Sequence, residues 1–186
     1  MDQVSFTQMK NGTREEYQFL GPLFNEHRRN TLADEILAML KRMQGPKLGY
    51  QIDRYQHSLQ SATRALRDGA DEETIVCALL HDIGDTVAPD NHSQLAAAIL
   101  RPYVSEKNHW IIQHHGVFQG YYYFHHTGGD QNARDQFRDH PHYQACADFC
   151  ENWDQNCFDP DYDTLPLETF EPMVRELFAK TPVEFV

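Results

Sequence analysis

The stretch DEETIVCALLHDIG, from Asp71 to Gly84, limits what this chain can become more than any other. Between Ile75 and Leu80 it is apolar without a break, so the helix it forms belongs in a protein interior. Asp71 suits the cap, and the acidic first turn suits the positive end of the helix dipole. The helix ends on His81 and Asp82. A carboxylate among apolar residues is costly unless a cation or hydrogen bonds compensate it, so something must meet Asp82 there. Successive helical residues point about 100° apart, yet at a helix end two side chains can converge on one centre. Imidazole with carboxylate suits iron, manganese, cobalt or zinc, and a carboxylate can bridge two ions. The doublet therefore suits a dinuclear metal centre.

The remaining periodicity is helical. Thr31 and Asp34 resemble a capping box, and Leu32, Ile36, Leu40 and Met43 recur on one face until Gly45-Pro46 stops the run. A second helix is expected from Asp53 to Asp68, with Tyr55, Leu59, Ala62 and Leu66 as its apolar stripe, His57 near its start and Gly69 as its stop. Asn91 to Leu100 and Ser105 to about Phe118 read as two helices separated at Arg101-Pro102. Pro141 to Trp153 and residues 167–180 supply two more, joined by the loop DPDYDTLP. Residues 1–30 show no clean period and read as an N-terminal arm. No repeat or convincing hairpin occurs, so the expected fold is an all-α helical bundle, one domain over residues 31–186.

Composition narrows the function. The chain has 186 residues, 40% hydrophobic, enough for one globular core. Sixteen Lys and Arg face 28 Asp and Glu, and a net charge of −12 disfavours a protein that blankets nucleic acid. No apolar run suits a membrane span and the start lacks the order of a signal peptide, so a cytoplasmic location is expected. Cys77, Cys146, Cys150 and Cys157 form no CxxC pair and read as reduced thiols; Cys146 and Cys150, four apart, read as core. The unusual count is 11 histidines, in a residue suited to metal binding and proton transfer.

With His57 in YQHSLQSA, His81 and Asp82 in ALLHDIGD, and Asp154 in FCENWDQ, the chain resembles the HD-domain superfamily, whose helical metal centre is built from such a set. His92 in DNHSQLAAAIL and His115 in IIQHHGVFQGYYY match the added ligands of its dinuclear branch. Order and ending, WDQ then FDPDY, look most like the mixed-valent diiron oxygenases, the group of myo-inositol oxygenase and the hydroxyalkylphosphonate dioxygenases. The resemblance covers residues 50–178. It implies His57, His81, Asp82 and Asp154 on one iron, His92 and His115 on the other, and Asp82 between them. It further implies an Fe(II)/Fe(III) pair, O2 as co-substrate and a small hydroxylated, possibly phosphonate-bearing substrate. Two positions depart from the phosphonate enzymes and bear on catalysis together with Asp82. Tyr50 stands where they carry a glutamate, and Gln119 where a phosphonate-binding lysine is expected. A second branch with the same ligands hydrolyses phosphate esters or nucleotides with Mn, Co, Mg or Fe, lowering the pKa of a bound water. A metal-stabilised binding protein without turnover is a third reading.

Some assignments stay open on sequence alone. Only one of His114 and His115 can face a common centre, and the family spacing favours His115. Asp159, Asp161 and Asp163 compete with Asp154, which alone continues the helix bearing Trp153. Tyr121, Tyr122, Tyr123, His125 and His126 are candidates to line a pocket, or mere packing. Arg54, Lys107, Arg134 and Arg138 are candidate cations for an anionic substrate. Nothing in the sequence sets the oligomeric state.

Overall fold

The computed structural model describes residues 1–183. Seven α-helices account for their architecture: α1 (Arg14–Arg42), α2 (Arg54–Arg67), α3 (Glu72–Leu80), α4 (His92–Leu100), α5 (Glu106–Tyr123), α6 (Tyr143–Trp153) and α7 (Glu171–Ala179). Short 3-10 turns join them, and no strand occurs among the described residues. The all-α expectation holds, and no helix among those residues is long and apolar enough to cross a membrane.

The helix starts follow from side chains that accept the free N–H groups of a first turn. Asp53 accepts from the Gln56 amide and Asp71 from the Thr74 amide, each at 2.8 Å. Ser105 caps α5 by accepting from the Asn108 amide at 3.3 Å. Gly69, at φ 76°, ends the turn after α2 in a conformation that glycine adopts at no steric cost. The Tyr-rich stretch extends α5 to Tyr123, beyond the expected end at Phe118.

The expected N-terminal arm is a correction. Residues 14–30 are helical and continuous with the next turns, so a boundary at residue 30 would fall inside α1. The true capping box is Thr13 with Glu16: Thr13 Oγ1 accepts from the Glu16 amide at 3.3 Å, and Glu16 Oε2 accepts from the Thr13 amide at 2.9 Å. Thr31, expected to cap, lies within α1 and donates its hydroxyl to the His27 carbonyl at 2.8 Å. Asp34 pairs instead with Arg175 of α7 at 2.8 Å. Pro22 sits inside the helix, where its missing N–H removes one ladder bond without ending the run.

Packing pairs α2 with α3, α5 with α4 and α6, and α7 with α1 and α3. The apolar α3 lies at the centre, with Ile75 to Leu80 all buried, as its composition demands. Leu40, Ala62, Leu100, Ile112, Cys146, Cys150, Phe170 and Val174 surround it, all fully buried. From α2, α4, α5 and α6 a side chain reaches the C-terminal end of α3. Replacing Leu80 by Ala would leave a void in this layer, and urea unfolding is expected to show a loss of about 2–5 kcal/mol.

Candidate metal centre

Five elements bring six side chains to the end of α3. His57 comes from the first turn of α2, His81 caps the C-terminus of α3 and Asp82 follows it. His92 opens α4, His115 lies within α5, and Asp154 is the C-cap of α6. His57, His81, Asp82, His115 and Asp154 are buried, while the His92 side chain is 26% exposed. Two glycines make room for His92. A Cβ at Gly84 would stand 2.8 Å from the His92 carbonyl oxygen, and one at Gly116 would stand 2.8 Å from Ser93 Oγ.

The hydrogen bonds of these imidazoles settle which nitrogen faces inward. Nδ1 of His57 donates to the Cys157 carbonyl at 2.9 Å, that of His81 to Ala78 at 2.8 Å, and that of His115 to Ile112 at 2.7 Å. His92 Nδ1 lies 3.1 Å from the Pro89 carbonyl. A carbonyl only accepts, so each Nδ1 carries a proton, and Nε2 is the nitrogen that faces inward. His57 Nε2 and His81 Nε2 stand 3.1 Å apart. Two nitrogens at that separation need a proton or a metal ion between them.

Asp154 Oδ1 lies 3.3 Å from His57 Nε2 and 3.6 Å from His81 Nε2, closing a triangle of donors. Donors about 2.1 Å from a common ion stand roughly 3.0 Å apart at right angles and about 3.4 Å at tetrahedral angles, so the triangle has the size of a coordination shell. The two oxygens of Asp82 divide. Oδ2 lies 3.5 Å from both His57 Nε2 and His81 Nε2, whereas Oδ1 lies 3.2 Å from His115 Nε2 and 3.4 Å from His92 Nε2. The buried sets His57, His81, Asp154 and His81, Asp82, His115 each bring their ligand atoms close enough to hold an ion, and so does the set Asp82, Asp85, His92. The donors fit a metal centre.

Charge follows the same geometry. Burial opposes an imidazolium at His81, but Asp82 and Asp154 outweigh it and raise the ring to about 9. Burial would push the carboxyls of Asp82 and Asp154 up, yet the facing imidazoles hold both below the usual carboxylate range. Arg54 completes the rim, with Nε 2.9 Å from Asp85 and Nη1 3.6 Å from Asp82.

Beside the cluster lies a cleft of about 250 Å³, bordered among others by Tyr50, Arg54, Gln119, Tyr122, Tyr123 and Phe158. Tyr50 stacks on Phe158 at 5.1 Å, and Phe158 stacks in turn on His57 at 4.5 Å. His114 points elsewhere: its ring lies 4.2 Å from that of Trp110, which also stacks in parallel on His140 at 4.1 Å. Of the candidate cations only Arg54 reaches this cleft. Lys107 borders a separate one, Arg134 lies over Tyr121, and Arg138 pairs with Asp135. His125 and His126 lie tilted against each other outside the lining, and Asp163 pairs with Arg67 on the surface. Sequence reasoning missed Asp85 and Phe158. Asp85 had a signal, since it follows Asp82 by three positions in HDIGD; Phe158 lies in an irregular loop and had none.

Residues 54–149 match the family model of the HD domain, slightly more than half of the chain. The match contains five of the six clustered residues and stops short of Asp154. No curated protein matches the chain.

The elevated His81 ring has a consequence for stability without metal. Its folded value of about 9 exceeds the ordinary 6.5, so its contribution is complete below about 6.5 and is lost as pH rises through about 9. Urea midpoints of EDTA-stripped protein are expected to fall across that interval, and His81→Gln is expected to flatten the fall.

Proposed function

This chain belongs to the HD-domain family, and from that premise we propose that it is a dinuclear metal enzyme, an iron oxygenase that oxidises a small hydroxylated substrate with O2. The observation that carries the reading is the division of Asp82, whose oxygens face different imidazole pairs. In this reading His57, His81 and Asp154 hold one ion, His92 and His115 the other, and Asp82 both. Four of the six residues are histidines, a set that suits iron, cobalt or manganese and disfavours the oxygen-seeking Mg²⁺. The cleft adjoins a second of about 460 Å³ through Tyr50, Arg54, His92, Tyr123 and Phe158.

When bound, the iron pair supplies Lewis acidity toward the substrate hydroxyl and the redox capacity that O2 requires. The chain's own part is orientation and exclusion. Main-chain carbonyls fix each ring in the tautomer that presents Nε2. Gln119 Nε2 donates to Asp154 Oδ1 at 3.0 Å and holds that carboxylate toward the histidines. Arg54 offsets the charge of Asp82 and Asp85 at the rim. Phe158 covers His57 and keeps water from that side of the cluster.

Anaerobic loading with iron, followed by partial oxidation, tests the reading through the EPR signal of a coupled Fe(II)/Fe(III) pair and its perturbation by a small alcohol. Consumption of O2 with substrate is expected. Turnover of a phosphate ester under strict anaerobiosis with Mn would overturn the oxygenase in favour of a hydrolase. Asp82→Ala is expected to lose both ions and His92→Ala one, by metal analysis of the folded variants. An Asp82→Ala protein that keeps its pair refutes the bridge.

A further inference from the structure

We propose that the first half of α1 is a membrane-surface anchor: its outward side, apolar at the centre and cationic at both ends, rests on a bilayer that contains anionic lipid. The inference is independent of the metal centre.

The apolar side of α1 changes along the helix. In the second half Ile36, Leu37 and Leu40 are buried in the core. In the first half the apolar residues are Tyr17, Phe19, Leu20, Leu23 and Phe24. At about 100° per residue, Tyr17, Leu20 and Phe24 fall within about 60° of one another, on the side roughly opposite Ile36, Leu37 and Leu40. The exposures agree, since Tyr17 is 38%, Leu23 47% and Phe24 69% exposed. A Cβ at Gly21, on the same side, would meet nothing within 4 Å. The segment before the helix enlarges the patch: the Phe6 ring lies 5.3 Å from that of Tyr17, and the carbonyl of the exposed Met9 accepts from the Tyr17 hydroxyl. Apolar side chains gathered on the side away from the chain's own core mark a contact with something else.

The charges say with what. Arg14 and Arg28 share this side of the helix and Lys10 precedes it, and none of the three is in an ion pair among the described residues. Glu15 and Glu26 project from the opposite side by the same spacing. Glu16 spends its carboxylate within the chain, accepting from the Ser5 amide at 2.6 Å and from the Thr13 amide at 2.9 Å. Asp34 and Glu35, the next acids on α1 after Glu26, come about three turns past Phe24. In a chain of net charge −12, this apolar stripe is therefore framed by unpaired cations.

A partner that fits is apolar inside and anionic at its surface. The groove along this half of α1 lies on another side, bordered by Pro22, Asn25, Glu26 and Arg29 with residues 179–182, so the outward side is a ridge. A ridge needs no matching groove in a fluid bilayer, where an amphipathic helix sinks its apolar side while Lys and Arg reach the headgroups. A second copy fits less well, because cations at both ends of the stripe meet cations whichever way two ridges are laid together. The acidic body does not forbid the contact, since charges more than about 8 Å from the bilayer are screened at physiological ionic strength.

Sedimentation with vesicles of phosphatidylcholine alone, and of phosphatidylcholine with about one-third phosphatidylserine, reads the contact directly. The full chain is expected to pellet with the mixed vesicles at low salt, about tenfold or more above the neutral ones, and to be released by high salt. Leu23→Ser with Phe24→Ser, both at exposed positions, is expected to abolish pelleting. Lys10→Glu with Arg14→Glu is expected to weaken binding to the mixed vesicles about tenfold or more. Circular dichroism and urea midpoints matching the wild type show that both variants are folded. A full chain that stays in solution with the mixed vesicles, pellets equally with neutral ones, or pellets unchanged in either folded variant overturns the proposal. So does a wild type that is dimeric without vesicles and becomes monomeric in the Leu23→Ser, Phe24→Ser variant, because the ridge then belongs to a second copy.

Discussion

The main-chain carbonyls that receive the four imidazole Nδ1 protons are what the rest of this centre depends on. Three belong to the histidine's own segment, three residues back: Ala78 for His81, Pro89 for His92 and Ile112 for His115. Local backbone geometry at these three sites therefore sets ring orientation. His57 differs, because its carbonyl belongs to Cys157, one hundred residues along the chain. That bond ties the first turn of α2 to the loop after α6. The same loop carries Phe158 over the His57 ring and places Asp154 at the start of the connection. One long-range hydrogen bond thus joins the first and last contributors to the cluster.

Burying two carboxylates and three imidazoles near the most apolar helix is unfavourable for each group taken singly. The arrangement is tolerable because the groups compensate one another: Asp82 touches all four rings, and Asp154 touches two of them and Gln119. Removing one partner would strand the others, which is costlier than replacing the whole set. This mutual dependence explains why the doublet His81-Asp82 could not stand alone at the end of α3.

Much of this was readable from residues. Caps at Asp53, Asp71 and Ser105, the stop at Gly69 and the apolar stripe of α2 obey local rules, so those helices lie where periodicity put them. The first half of α1 escaped because Gly21-Pro22 looks like punctuation, although Thr13 and Glu16 already carried the capping signature. The choice between His114 and His115 needed the fold, since only the stack of Trp110 between His114 and His140 shows which ring turns away.

Gly84 and Gly116 let α4 approach until His92 reaches Asp82, and His92 is the one member of the cluster that stays open to solvent. For two ions held as proposed, this makes the positions kinetically unequal. The inner ion, walled in by α2, α3 and α6, would be retained over long periods, while the outer one would trade with the surrounding medium. The make-up of the pair, and with it the chemistry available at any moment, would then follow the metals on offer to the outer seat.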